Sequence, residues 1–171
     1  MEFNKLSESR RSIRSYLPDE VPDDIIKQLI YAAQTAPSGG NCQPWHFYII
    51  KNKDVMNEIV LKSCAQEWLK TAPLMIVVCA DLQKSGGSYG ERGRTLYCIQ
   101  DTAAAVQNIL LCAKSYGLGT CWCGAFNETA LADILKLKKD LRPVAVIPVG
   151  YTDVKFAAQN RRPIDSIYTV V

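Results

Sequence analysis

Residues 96–117, LYCIQDTAAAVQNILLCAKSYG, form the longest stretch of the chain with the hydrophobic spacing of an α-helix. Apolar side chains recur there at intervals of three and four residues, which places them along one side of a helix. Two faces of this stretch are rich in alanine and leucine, so we expect a long central helix that is buried on more than one side. Gly117 is typical of the residue that ends a helix.

Strand and helix patterns alternate on both sides of this helix. Residues 74–80 form a continuous apolar run, as expected for a strand buried on both faces. The alternation predicts an α/β or α+β domain with helices on a mainly antiparallel or mixed sheet. We expect a flexible loop at residues 85–90. The other predicted elements are helices beginning near Pro22 (ending at Ala36-Pro37), Asp54 and Asn127, and strands at residues 46–50 and 144–149.

The length and composition are those of one globular domain spanning residues 1–171. A net charge of +3 is too small to favour a nucleic-acid or membrane partner. No apolar run reaches the length of a membrane span, and the N-terminal residues lack the apolar core of a signal peptide. The seven cysteines are an odd number and mostly lie in apolar patterns. We therefore expect a cytoplasmic protein with buried free thiols.

Arginines near both ends of the chain are candidates for binding an anion. Arg10, Arg11 and Arg14 surround Ser12, and Arg161-Arg162 lie near the C-terminus. Guanidinium groups match phosphate oxygens with paired hydrogen bonds and stay charged at all working pH values. Taken alone, each cluster is also typical of a solvated helix end.

A glycine-rich polar segment lies between the two arginine clusters, at residues 37–45 (PSGGNCQPW). Gly39 and Gly40 would allow the backbone to approach a ligand closely. Asn41 and Gln43 each carry a donor and an acceptor, as the edge of a flavin or pteridine requires. The alternative interpretation is an ordinary turn followed by a core tryptophan.

A second glycine-containing segment, GLGTCWCGAF at residues 117–126, follows the long helix. A backbone N–H of Gly124 or Ala125 could donate to a ligand ring. Cys121 and Cys123 are compatible with structural, metal or redox roles, but a single pair beside a single histidine disfavours zinc. His46 is that histidine, and it fits a packed surface position. We predict no metal site.

Together these segments resemble the FMN-dependent nitroreductase family over nearly the whole chain. The resemblance rests on residues 10–14, 36–45 and 117–122, on Val149-Gly150-Tyr151, and on Arg161-Arg162-Pro163, all in the family's order. Asp101 and Asn108 on the long helix also fit. The resemblance implies an α+β fold and an intertwined homodimer with FMN at the subunit interface.

The resemblance also implies roles for individual residues. It assigns FMN phosphate, ribityl and pyrimidine contacts to the N-terminal arginine segment, flavin contacts to the glycine-rich loop of the partner subunit, and contacts near flavin N5 and O4 to the second segment. No side chain is expected to be catalytic, because the flavin carries the chemistry. The implied cofactor-binding residues are Arg10, Arg11, Ser12, Arg14, Pro37, Ser38, Gly39, Asn41, Gln43, Gly124, Ala125, Arg161 and Arg162.

The implied activity is ping-pong hydride transfer from NAD(P)H through FMN to nitroaromatic, quinone or related acceptors. Two departures from the family pattern concern the site. The stretch from Asp81 to Arg94 is short, which leaves the acceptor pocket open, and Ala125 replaces a common glycine. Lys70 is the nearest candidate for a lysine beside flavin O2. A dedicated flavin-fragmenting or dehalogenating reaction and an FMN-storing or sensing module are the alternatives.

Overall fold

The protein is built around an antiparallel four-stranded sheet whose strands follow the order β1-β2-β4-β3. The structure is a computed structural model and describes residues 2–155 and 159–171. Strand β2 lies between β1, which pairs with its residues 75–80, and β4, which pairs with residues 74–81. Helices cover both of its faces, which explains its unbroken apolar sequence. The strands are β1 (Trp45–Ile50), β2 (Leu74–Asp81), β3 (Gly119–Thr120) and β4 (Leu141–Gly150).

Helices cover both faces of the sheet, which confirms the predicted α+β architecture. Successive residues of β2 point to opposite faces: Ile76 packs in one hydrophobic cluster, with α2 and α5, and Val77 in the other, with α3 and α6. The helices are α1 (Phe3–Ser9), α2 (Asp23–Gln34), α3 (Lys53–Ile59), α4 (Leu82–Arg92), α5 (Cys98–Ser115) and α6 (Glu128–Leu135). Shorter helical turns span Gly39–Asn41, Val60–Cys64, Glu67–Thr71, Gly93–Tyr97 and Ile164–Ser166.

Helix α5 is the predicted long central helix, packed between α2 and the sheet. Asn108 on α5 donates a hydrogen bond of 2.9 Å to the backbone oxygen of Ala32 on α2. The helix ends at Ser115, and the predicted terminating glycine, Gly117, follows the Tyr116 cap with a φ of +76°. Leu118 N–H bonds Ala113 O at 2.9 Å and Gly117 N–H bonds Lys114 O at 3.1 Å, which is the Schellman pattern.

The register of β3 on β4 continues beyond the two residues of β3. Gly119 pairs with Gly150, Thr120 with Val149, and Cys123 with Val146, so the segment from 119 to 123 runs along β4 without a shift. In this register Cys121 lies opposite Pro148. Because proline has no N–H to donate, the ladder is interrupted there. Residues 144–149 belong to β4, which is an inner strand because it pairs with both β2 and β3. Pro148 lies near the end of this strand.

The prediction of a flexible loop at residues 85–90 is wrong. These residues lie in α4, whose N-terminus is capped by the Asp81 carboxylate, which accepts from the N–H groups of Gln83 and Lys84. The chain reverses at Gly90 (φ +57°) and packs back on α4. A Cβ on Gly93 would lie 2.2 Å from the backbone oxygen of Ser85. A glycine at this position therefore allows close packing rather than flexibility.

Two further predictions concern helix caps. Asn127 caps α6 as predicted, accepting from Ala130 N–H at 3.0 Å. The cap of α3, in contrast, is Asn52 rather than Asp54, because the Asn52 side chain accepts from the N–H groups of Asp54 and Val55. Within residues 2–155 and 159–171, no helix has both the length and the apolar character needed to cross a bilayer.

Candidate functional site

The N-terminal arginine segment is attached to the edge of the sheet. Ser12 forms a parallel bridge with Thr120, and Ile13 N–H donates to Thr120 O at 2.9 Å. Ile13 is buried against Gly119, where an added Cβ would lie 2.8 Å from an Ile13 side-chain carbon. This contact places Ser12 and Arg14 beside the segment 119–125, so two of the predicted flavin-binding segments meet.

Arginines from the two ends of the chain line one cleft. Arg10, Arg11 and Arg161 face a space of about 520 Å³, which is also lined by Ser7, Glu8, Gln107 of α5 and Gln159. Arg10 and Arg11 also border a neighbouring cleft of about 370 Å³, which Lys114 and other residues line. Arg162 is exposed and does not line either cleft. The structure therefore unites Arg10, Arg11 and Arg161, but not Arg162, around a space suited to an anion.

Arg11 and Arg14 are held in different ways. The Arg11 guanidinium donates to the backbone oxygen of Arg10 at 2.8 Å and also to that of Glu8. Arg14 is exposed, and its guanidinium carbon lies 5.8 Å from the centre of the Trp68 ring. A guanidinium in this position gains a cation–π attraction, so Trp68 helps to orient Arg14.

The loop at residues 37–43 is tightly folded and carries unusual backbone angles. The Ser38 hydroxyl accepts from Gln43 N–H at 2.9 Å, which closes the loop. Gly40, Asn41 and Gln43 have φ values of +55°, +55° and +50°. Left-handed backbone at residues other than glycine is costly and is found preferentially at functional sites. The side-chain nitrogen of Gln43 donates to the backbone oxygen and to Oδ1 of Asn41, both at 3.3 Å. The two residues predicted to contact the ligand are therefore hydrogen-bonded to each other.

Asp101 anchors this loop to the long helix. Its Oδ1 accepts from Gly39 N–H at 3.1 Å. The Asp101 side chain is buried, and its Oδ2 has no hydrogen-bond partner among the described residues. Burial raises the pKa of Asp101, and the hydrogen bond from Gly39 opposes that rise. Asp101 is thus a buried carboxylate with one oxygen satisfied.

Gly124 and Ala125 lie on an exposed turn between residues 119–123, which run along β4, and helix α6. The turn is fastened to the segment before Trp68: Gln66 Nε2 donates to Ala125 O at 3.3 Å, and Asn127 N–H donates to Ser63 O at 2.9 Å. The exposed backbone of this turn is therefore held in a defined position close to the segment that carries Arg14.

The remaining candidates have local partners. His46 is exposed on β1, with its ring centre 5.0 Å from that of Tyr48. Lys70 forms a 2.6 Å ion pair with Glu67. The Cys42 sulfur lies 3.4 Å from the Ser88 hydroxyl.

The predicted site residues thus form two groups within one chain. The first group consists of the two arginine segments and the turn at Gly124 and Ala125. Of this group Arg10, Arg11 and Arg161 line a cleft, whereas Ser12, Arg14, Gly124 and Ala125 line neither. The loop from Pro37 to Gln43 contributes no lining residue to either cleft. Gln107 and Lys114 were not predicted, although their spacing of seven residues places two polar side chains on one face of an apolar helix.

Comparison with known proteins identifies the family. The Nitroreductase family model matches residues 8–67 and 60–151. A proposed NADH dehydrogenase/NAD(P)H nitroreductase of Methanothermobacter thermautotrophicus is 33% identical over 157 residues, covering 88% of this chain and 78% of the relative. An FMN reductase [NAD(P)H] of Bacillus subtilis is 27% identical over 170 residues, covering 92% and 68%.

Solved structures of similar proteins support the same family. The crystal structure of a nitroreductase family protein from Clostridium novyi NT has 30% sequence identity and a TM-score of 0.81, covering 90% of this chain and 87% of that one. The fold, the family match and the relatives therefore define an oxidoreductase with a nitroreductase-like α+β fold. The chain belongs to the nitroreductase family.

Proposed function

We propose that this protein is an FMN-dependent NAD(P)H oxidoreductase that acts on nitroaromatic, quinone or related acceptors by a ping-pong mechanism. The observation that carries the proposal is the cleft lined by Arg10, Arg11 and Arg161, in which three arginines from the two ends of the chain outnumber one acidic residue, Glu8. The relatives named for NAD(P)H nitroreductase and FMN reductase activity support the same class of reaction.

The donor set fits a phosphate-bearing flavin. Guanidinium groups bind phosphate with paired, charge-assisted hydrogen bonds. Arg10, Arg11 and Arg161 would hold the phosphate, while Ser12 and Arg14, fixed on the sheet edge by Thr120, would contact the ribityl chain and the pyrimidine ring. Arg162 would contribute positive charge from outside the cleft.

The exposed turn at Gly124 and Ala125 would present its backbone N–H groups near N5 and O4 of the ring. When bound, FMN would supply the two-electron redox chemistry between NAD(P)H and the acceptor. The chain's own residues bind and orient the cofactor, and no side chain needs to act as a general acid or base.

A homodimer would bring the second group of residues to the site. The loop containing Pro37, Ser38, Gly39, Asn41 and Gln43 is polar and closed by the Ser38–Gln43 hydrogen bond, but it lines neither arginine cleft of its own chain. We infer that it lines the flavin of the partner subunit. We further propose that residues 1–171 form a single domain and that the homodimer works in the cytoplasm.

The proposal is tested by loading the purified protein with FMN, desalting it, and measuring the Kd by fluorescence titration. Arg161→Ala and Arg162→Ala form a matched pair, because only Arg161 lines the cleft. Loss of one charge-assisted hydrogen bond, about 1.5–3 kcal/mol, raises the Kd by about 10- to 150-fold. We expect this increase for Arg161→Ala and a smaller one for Arg162→Ala.

Turnover separates the enzyme from an FMN-storing module. Steady-state oxidation of NADH or NADPH with a quinone should give parallel double-reciprocal plots, as a ping-pong mechanism requires. A wild-type protein that retains no flavin would refute the cofactor assignment. A protein that retains FMN but does not oxidise either nicotinamide would favour the storage alternative.

A further inference from the structure

A second basic cleft adjoins the cleft assigned to the FMN phosphate, and the flavin assignment leaves it unused. Its volume is about 370 Å³, within the range of about 300–1,000 Å³ that is typical of small-molecule pockets. Lys114 and Lys155 line this cleft and do not line the other, so we call it the lysine cleft. Arg10 and Arg11 border both clefts, so ligands in the two clefts would share these two arginines.

The lysine cleft also adjoins the proposed position of the ribityl chain. Thr120 lines the cleft. The same residue forms the parallel bridge with Ser12, which we propose to contact the ribityl chain. A molecule bound in the lysine cleft would therefore lie beside the flavin and not at a remote surface.

The lining of the lysine cleft is positively charged. Four cationic side chains line it, and none of the described residues along its wall is acidic. The neighbouring cleft, in contrast, contains Glu8. Within the described part of the chain, none of Arg10, Lys114 and Lys155 forms an ion pair. Their charge is therefore not neutralised by a protein carboxylate there, and it is available to an anionic ligand.

The two lysines come from distant segments whose backbones are both fixed. Lys114 lies in the last turn of α5, where its backbone oxygen accepts from Gly117 N–H at 3.1 Å. The Thr152 hydroxyl donates to Ser15 O at 3.0 Å, which ties the segment before Lys155 to the N-terminal segment. A lysine in the last turn of a helix also compensates the helix dipole. That role explains Lys114 alone, but it does not explain why Lys155 lines the same cleft.

This charge pattern fits a phosphate monoester on a ribose. Such a phosphate carries a charge of about −1.5 to −2 at neutral pH, and lysine ammonium groups are compact point charges that suit it. In dinucleotide sites an acidic residue binds the ribose 2′-hydroxyl of NAD, whereas a cationic residue accommodates the 2′-phosphate of NADP. A lining with four cations and no described acid matches the second case.

We propose that the lysine cleft binds the 2′-phosphate of NADPH, and that Lys114 and Lys155 determine a preference for NADPH over NADH. The inference rests on the proposed function, because it concerns the nucleotide that would reduce the flavin. Arg10 and Arg11, which border both clefts, would lie between the phosphate of FMN and that of the nucleotide and reduce their mutual repulsion.

The first test is a calorimetric titration of the FMN-loaded protein with two nucleotides that differ only in the 2′-phosphate. These are adenosine 2′,5′-bisphosphate and adenosine 5′-monophosphate. We expect the bisphosphate to bind at least about tenfold more tightly, and the difference to shrink as sodium chloride is added, because salt screens exposed charges. Equal affinities would overturn the proposal. If the protein retains no FMN, the proposed function fails, and the same titration of the flavin-free protein still decides whether the cleft binds the 2′-phosphate.

Variants locate the bound phosphate. Lys114→Ala and Lys155→Ala should each weaken binding of the bisphosphate by about tenfold, with a smaller effect on the monophosphate, and Lys155→Arg should retain most of the affinity. Lys139→Ala is the matched control, because Lys139 is an exposed lysine that lines neither cleft. Circular dichroism checks that each variant is folded, and the wild-type titration decides the proposal even if a variant is not.

Two results with the variants would contradict the assignment. An equal loss of affinity for both nucleotides would place the 5′-phosphate, and not the 2′-phosphate, in the lysine cleft. A rise in the Kd for FMN as large as that for the bisphosphate would assign the cleft to the flavin.

Turnover provides an independent readout of the preference. With a quinone as acceptor, the ratio of kcat/KM for NADPH to kcat/KM for NADH should exceed one in the wild type and fall by about tenfold in Lys114→Ala or Lys155→Ala. A wild-type enzyme that uses NADH as well as NADPH would overturn the proposal. A protein that binds the bisphosphate as expected but oxidises neither nicotinamide would refute the proposed function and support the phosphate site.

Discussion

Replacement of Asp101 by asparagine and by alanine should have opposite consequences for stability at neutral pH. Alanine removes the acceptor of Gly39 N–H, a bond of 3.1 Å to a half-buried amide. An amide that loses its partner costs about 1–3 kcal/mol. Asparagine keeps an oxygen for Gly39 and removes the buried charge, so Asp101→Asn should be at least as stable as the wild type at pH 7.

The pH dependence gives the sign of the charge effect. Because burial raises the pKa of Asp101 in the folded protein, the folded state binds a proton more tightly than the unfolded state. The carboxylate therefore destabilises the fold above its folded pKa, and this cost is lost as the pH falls through that pKa towards the unfolded value. The stability of Asp101→Asn relative to the wild type should accordingly be greatest at neutral pH and decrease in acid.

Urea unfolding followed by circular dichroism measures both effects. With a slope of about 2 kcal/mol per molar urea, a loss of about 2 kcal/mol lowers the midpoint of Asp101→Ala by about 1 M. Comparing each variant with the wild type at the same pH cancels the titration of the other groups. If Asp101→Asn were as unstable as Asp101→Ala at pH 7, the charge would be stabilising and the reasoning would be refuted.

Three further predictions concern backbone and packing, and each is read from the free energy of unfolding. Gly117→Ala should lose about 1–2 kcal/mol because its φ of +76° is unfavourable for alanine, although no atom lies within 4 Å of the added Cβ. Gly119→Ala should lose about 1–3 kcal/mol by overpacking against Ile13. Adding Ile13→Ala should restore part of the stability lost in Gly119→Ala and none of that lost in Gly117→Ala. If it restored both variants equally, the steric cause would be contradicted. Asn52→Ala should cost about 1 kcal/mol as a lost helix cap, whereas Asp54→Ala should cost less, and the reverse order would contradict the observed cap.

The elements that the sequence predicted correctly depend on local patterns. Apolar spacing and Gly117 define α5, and Asn127 defines the start of α6. The apolar run of β2 indicated a strand buried on both faces. In each case the residues that stabilise the element lie within or next to it, so a pattern over a few turns was sufficient.

The incorrect predictions have a different physical origin. Glycines in residues 85–90 could mark a flexible loop or a close backbone contact, and the choice depends on the packing of Gly93 on Ser85. Asn52 and Asp54 are both capable caps two residues apart. Only the backbone conformation decides which side chain faces the free N–H groups.

The sequence by itself determined the fold class, the long central helix and the family resemblance, because these follow from periodicity and from motifs in a fixed order. Only the tertiary structure decided that Arg161, but not Arg162, shares a cleft with Arg10 and Arg11, and that Gln107 joins them. It also placed Cys121 and Cys123 in the hydrophobic cluster on the α3/α6 face. Contacts between residues distant in the chain depend on how β3 pairs with β4 and with the N-terminal segment, and local sequence patterns carry no information on that pairing.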